Sequence, residues 1–198
     1  VYPNYYGSAA AQSLASLVGM AGTLLICAPT AVKLSQKFGK KELATAGAIV
    51  GAVSYLLCFF LRPANPFVYV AFAAVATVSM GYFNTVVWAM ITDVIDDTEV
   101  RTGVREDGTV YSVYSFARKL GQAISSGLIG GLLTMIGYSE ATAFDPAVTG
   151  KIFNLACLAP FAGFVALALI LMFLYPLNKT RVEQNIATLA ARREGKEN

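Results

Sequence analysis

Lys119 stands next to Arg118 about ten residues inside a long apolar stretch that runs from Thr109 to Gly137. At ~1.5 Å of rise per residue the pair lies ~15 Å deep, near the middle of a ~30 Å hydrocarbon core. Charge at that depth is costly and faces a bundle interior, a water-filled cavity or an opposite charge. No other apolar stretch of the chain carries an acid at comparable depth. The chemistry on offer is electrostatic: a fixed positive charge whose partner is expected on a part of the protein outside this sequence.

The same stretch carries groups for hydrogen bonding. At about 100° per residue, Tyr111, Ser115, Gln122 and Ser126 fall within about 60° of one another, with Tyr114, Arg118 and Lys119 alongside. Val110, Val113, Ile124, Leu128 and Leu132 take the opposite face. A polar stripe of this length faces a cavity or a partner helix, not lipid. Tyrosine and glutamine suit hydroxyl-rich ligands, and lysine adds donors and a charge. On the preceding apolar stretch Asn84 and Trp88 are one turn apart on one face. An amide beside an aromatic ring can hold a sugar by hydrogen bonds and stacking. Ordinary packing explains the same residues as a polar helix–helix seam and a core ring, so both readings stand at this point.

Between these stretches Asp93, Asp96, Asp97 and Glu99 precede Arg101 and Arg105, and Glu106 and Asp107 follow. The segment Asp93–Gly108 reads as a loop dense in mixed charge. It is either a solvated connection or an inner gate, in which Asp93, Asp96, Arg101 and Arg105 change partners between two conformations. Its carboxylates lie too close to bulk water for an intramembrane cation site.

Five apolar stretches must position these groups: Ser8–Val32, Leu43–Leu61, Pro66–Thr92, Thr109–Gly137 and Ile152–Leu177. Each is long enough to cross a bilayer as a helix. Of the 198 residues 56% are hydrophobic and 14% charged, against about 25% charged in soluble domains. Alternation over ~10-residue segments, the mark of a membrane β-strand, is absent. The expected fold is all-α: a polytopic membrane bundle of five transmembrane helices. Residues 1–7 read as the outer end of a preceding span, with Tyr5 and Tyr6 as its interfacial belt. Residues 8–177 form the bundle. Residues 178–198 form a tail with a short amphipathic helix carrying Val182, Ile186 and Leu189, frayed from Arg193 onward. Pro29 and Pro160 should kink their helices or free a carbonyl. Gly121, Gly127, Gly130, Gly131 and Gly137 read as close-packing positions, or as points where a helix bends during transport.

Lysine and arginine set the orientation. Lys33, Lys37, Lys40, Lys41, Arg101, Arg105, Lys179, Arg181, Arg192, Arg193 and Lys196 fall on one side of the alternating spans, and only Arg62 and Lys151 on the other. The positive-inside rule therefore predicts an external start and a cytoplasmic C-terminus. An odd span count with an external start is what a chain cut near the outer end of a preceding span would leave.

Other functions lose their material. Histidine is absent, which removes His-based relays, His–metal sites and Ser/His or Cys/His nucleophiles. Cys27, Cys58 and Cys157 lie in apolar stretches without ligand-like spacing and read as small buried residues. No nucleophile–base set suggests an enzyme, and no basic stretch with interleaved aromatics suggests nucleic acid.

Asp93-Val-Ile-Asp96, then Thr102-Gly-Val-Arg-Glu-Asp-Gly108, then Tyr111-Ser-Val-Tyr-Ser-Phe-Ala-Arg-Lys-Leu-Gly-Gln122 resemble the glycoside–pentoside–hexuronide:cation symporters of the major facilitator superfamily. Gln36-Lys-Phe-Gly-Lys-Lys41 is similar to a degenerate form of that superfamily's cytoplasmic loop motif, with Gln36 where an aspartate is often found. The resemblance implies the C-terminal half of a twelve-span carrier, spans eight to twelve. It matches Lys119 to the family's span-eleven lysine, which pairs with acidic cation-site residues of the N-terminal half. It puts Tyr114 and Ser115 at sugar-contacting positions. Asn84 falls near an aromatic contact that would here be Trp88, and Arg118 stands at a typically neutral position.

The expected function is half of a sugar:cation symporter working by alternating access in a bacterial inner membrane. Asn84, Trp88, Tyr111, Tyr114, Ser115, Arg118 and Gln122 line its substrate cavity, and Lys119 is the coupling residue. No cofactor is expected; the coupling ion is Na+ or H+, with ligands on the missing N-terminal six-span half. The expected partners are the bilayer, that half and a sugar. Alone, the piece is expected not to transport and to self-associate through the surface meant for the other half. A non-transporting membrane scaffold and a lipid or amphiphile carrier of the same superfamily are the alternatives.

Overall fold

The structure is a computed structural model that describes residues 1–197, with side chains to residue 195. The described residues form six helices: α1 Ala9–Phe38, α2 Lys40–Leu61, α3 Pro66–Thr102, α4 Asp107–Met135, α5 Pro146–Leu174 and α6 Lys179–Glu197. Among the described residues there is no strand. The expected all-α polytopic bundle is what forms.

The helix starts are written in the sequence. Ser8 accepts from Ala11 N–H at 3.2 Å, Asn65 from Phe67 N–H at 2.9 Å and Asp145 from Ala147 N–H at 2.8 Å. Pro66 and Pro146 follow their caps at the first helical position, where a missing N–H costs nothing. Gly39 at φ 106° reverses the chain between α1 and α2, and Gly103 at φ 78° ends α3, both backbone conformations that suit glycine.

Four helices, α1, α2, α3 and α5, are long and apolar enough to cross a membrane. The span count of five is not reproduced on that criterion, because α4 is long enough at 29 residues but interrupts its apolar residues with Tyr111, Tyr114, Arg118, Lys119 and Gln122.

A π turn at Thr23–Cys27, closed by Ala28 N–H donating to the Thr23 carbonyl, immediately precedes Pro29 in α1. In α5 the π turn lies at Ile170–Leu174, ten residues beyond Pro160.

The core is built on small residues of α2, which packs between α3 and α5. A Cβ on Gly47 would stand 3.0 Å from the Ser79 carbonyl of α3, and one on Gly51 2.6 Å from the Phe164 ring of α5. Gly19 in α1 meets Thr77 of α3 in the same way, at 3.1 Å. Such contacts let membrane helices approach on dispersion alone. Cys27, Cys58 and Cys157 are buried free thiols within this core. At one end Tyr2, Tyr5 and Tyr6 pack on Tyr69 and Phe153, with Tyr5 stacked on Phe153 at 4.8 Å.

Helix α4 is different. It has no buried residue and meets the bundle chiefly along α3. Its glycines therefore do not serve as packing points within this chain: a Cβ at Gly121, Gly127, Gly130 or Gly131 would meet nothing within 4 Å among the described residues.

Two further expectations change. The charged segment expected as a loop is largely helix, because α3 continues through Asp93 to Thr102. Asp93, Asp97 and Arg101 recur every fourth residue there and suit a helical face. The turn itself is only residues 103–106. At the other end α6 runs on to Glu197 instead of fraying from Arg193; Asn198 lies outside the described residues.

Candidate functional site

Two constellations follow from this frame. The first is a groove between α3 and α4. Asn84 lines it from α3, and Tyr114, Arg118 and Gln122 from α4, while Trp88, one turn beyond Asn84, stands beside it against Tyr114 and Arg118. Trp88 and Tyr114 meet edge to face, with centroids 5.3 Å apart and planes at 70°. The Arg118 guanidinium carbon lies 5.6 Å from the centre of the Trp88 ring, a cation over an aromatic face. The groove measures about 450 Å³, and Asn84, Tyr114, Arg118, Gln122 and Ser125 supply its polar wall. That size suits one small ligand. Met80, Phe83 and Val87 close its apolar side.

Four of the sequence-predicted residues, Asn84, Tyr114, Arg118 and Gln122, thus line the groove, and Trp88 adjoins it through Tyr114 and Arg118. Tyr111, Ser115 and Lys119 do not line it. Tyr111 lies two turns nearer the charged end of α4, and Lys119 projects about 100° round the helix from Arg118. Lys119 is exposed and has no acidic partner among the described residues.

The second constellation is the charged end of the bundle. The four residues expected as a gate do not form one cluster there. Asp93, buried against the bundle, takes Lys40 of α2 at 2.6 Å. Asp96 pairs with Arg105 at 2.8 Å, and Arg105 also reaches Glu99 and Asp107 at 2.9 Å. The hydrogen bonds that Arg105 donates to Asp96, Glu99 and Asp107 raise its guanidinium above its ordinary value, so it stays charged throughout. Arg101 approaches Asp97 only to 3.9 Å.

Asp97 has better partners, which sequence reading missed. It is 7% exposed and accepts from Arg181 at 3.2 Å and from Asn185 at 2.9 Å, both on α6. Arg192 donates to the Glu99 and Val100 carbonyls, at 3.3 and 3.0 Å, and Arg193 stands 3.8 Å from Glu99. Helix α6 is therefore clamped along the end of α3. The four-residue spacing of Arg181 and Asn185 was visible in the sequence, but nothing there points to Asp97 as their acceptor.

An all-helical bundle with four membrane-length apolar helices and a polar groove against a fifth long helix is the build of an integral membrane protein. Comparison with known proteins gives the family. A profile of the family described as MFS/sugar transport protein matches residues 2–179, and the chain belongs to that family, one of transporters and not enzymes. It is 36% identical over 160 residues to the "Putative sulfoquinovose importer" of Escherichia coli (strain K12), covering 81% of this chain and 33% of the relative. It is 32% identical over 167 residues to the "Glucuronide carrier protein homolog" of the same strain, 84% of this chain and 36% of the relative. It is 34% identical over 158 residues to the "Uncharacterized symporter YjmB" of Bacillus subtilis (strain 168), 79% of this chain and 34% of the relative. The chain spans about a third of the length of the curated relatives it matches. No solved structure matches.

Proposed function

We propose that this chain supplies the C-terminal bundle of a sugar:cation symporter that works by alternating access. The observation that carries the proposal is the α3–α4 groove of about 450 Å³, which two amides and a phenol line and whose Tyr114 packs on the Trp88 ring. Trp88 and Tyr114 offer faces for the apolar side of a sugar ring; Asn84 and Gln122 offer donors and acceptors for its hydroxyls. Relatives named as a sulfoquinovose importer, a glucuronide carrier homologue and a symporter support the same solute class.

In this reading a six-span N-terminal half faces the exposed side of α4 and carries the acidic ligands for Na+ or H+. Lys119, partnerless within the described residues, pairs with those acids when the cation site is empty and is released when it fills. Tyr111 and Ser115 turn towards the same interface. The charged end lies in the cytoplasm, where the Asp93–Lys40 and Asp96–Arg105 pairs hold the inner mouth and α6 braces it through Asp97. Without the N-terminal half, the exposed face of α4 leads the chain to self-associate and leaves it unable to transport.

Thermal unfolding of the full-length transporter in detergent tests the solute class. Millimolar sugar is expected to raise Tm by several degrees and lysophospholipid to leave it unchanged, since a ligand at about 100 times its Kd adds ~2.7 kcal/mol. Stabilisation by lysophospholipid and not by any sugar would replace this reading with the amphiphile carrier; stabilisation by neither favours the scaffold.

A further inference from the structure

We propose that Arg118 selects anionic sugars, binding a carboxylate or sulfonate on the solute while the ring sits against Trp88. The inference rests on the groove being the sugar site and names the class of sugar it accepts.

Arg62 donates to Asn154, Arg101 faces Asp97, Arg105 holds three acids, Arg181 holds Asp97, Arg192 donates to two carbonyls and Arg193 faces Glu99. Among the described residues Arg118 alone has neither an ion pair nor a hydrogen bond; its one specific contact is the Trp88 ring. A guanidinium laid on an aromatic face is held in orientation, and its N–H edges stay free to grip two oxygens of a carboxylate or sulfonate side by side.

The nearby acids point elsewhere. Asp93 is five residues beyond Trp88 on α3 but about 140° round the helix, and it is paired with Lys40. Asp107 is eleven residues before Arg118 on α4, about 16 Å along the axis, and it is paired with Arg105. Lys119, beside Arg118, adds a second positive charge at the same depth. With Lys119 assigned to the acids of the other half, Arg118 is the cation at this level left for an anionic group on the solute. Arg118 also lines the groove itself, among the amides and the phenol that suit sugar hydroxyls, whereas Lys119 lies outside it.

Uptake of D-glucuronate and D-glucose by the full-length transporter tests this, because the two share a pyranose ring and differ at C6, carboxylate against hydroxymethyl. Arg118→Gln is expected to raise KM for glucuronate about thirtyfold, the scale of a lost charge-assisted hydrogen-bond pair, and to change KM for glucose less than twofold. Arg118→Lys, which keeps the charge but loses the fork, falls between. Surface biotinylation reports how much of each variant reaches the membrane. Equal loss for both sugars, or no loss for either, overturns the proposal: Arg118 then pairs with an acid of the other half or only packs. Loss of the variant from the membrane, with Arg118→Lys handling the two sugars as the native protein does, also overturns it. Failure of the native protein to take up any sugar removes the symporter reading itself, an outcome distinct from the others.

Discussion

Lys119→Gln in the full-length transporter abolishes concentrative uptake while leaving sugar exchange down its own gradient. The expected fall in accumulation is two orders of magnitude or more, measured with radiolabelled sugar in right-side-out vesicles under an imposed Na+ or proton gradient. A carboxylate–ammonium pair ~4 Å apart in an effective dielectric of about 20 interacts by ~4 kcal/mol, which is close to a thousandfold in an equilibrium constant. Glutamine keeps the length and hydrogen bonding of the side chain but cannot alternate with a cation at an acid. The structure supports treating the charge as available for that exchange, since Lys119 is exposed on α4 with no acidic partner among the described residues. Accumulation by the glutamine variant at the native level would remove Lys119 from the coupling step.

Trp88→Ala lowers sugar affinity at least about thirtyfold, the effect of losing an aromatic anchor worth ~2 kcal/mol. It removes the platform under Arg118 and the edge contact with Tyr114 together. Trp88→Phe keeps a face for stacking and is expected to stay within about fivefold of the native affinity. Trp88 is 47% exposed, so truncation leaves little cavity in the core and the fold should tolerate it. Equilibrium binding to purified full-length protein separates these outcomes; an alanine variant that binds as the native protein does means that the ring only packs.

The fold was legible from apolar runs and the breaks between them, because a membrane helix must satisfy its own backbone and must be apolar over a fixed length. Ser8 and Pro66 open apolar runs and stand at helix starts, whereas Asp145 caps a helix that begins at Pro146, six residues ahead of the Ile152 at which the last run opens. The length of α3 was not legible in the same way. Hydropathy ends at Thr92, but the helix continues on the regular spacing of Asp93, Asp97 and Arg101 and on contacts with Lys40, Arg181 and Asn185 that lie far away in the chain.

At the site, helical spacing placed Asn84 beside Trp88 and put Tyr114, Arg118 and Gln122 near one face of α4, and the two faces meet. Spacing alone could not say which flank of a wide polar stripe meets α3. That flank is Tyr114, Arg118 and Gln122, and Lys119 falls on the other side. The neutraliser of Arg118, invisible in sequence, is in part an aromatic face, which disperses the charge without cancelling it.

The central claim is that sugar and cation bind to one carrier through two linked sites. Titrating the full-length protein with sugar at zero and at saturating Na+, and across pH in its absence, tests that directly, because linkage requires each ligand to tighten the other by the same factor. Sugar affinity is expected to rise about tenfold or more with one of the two cations. Sugar affinity that stays flat against both would contradict it.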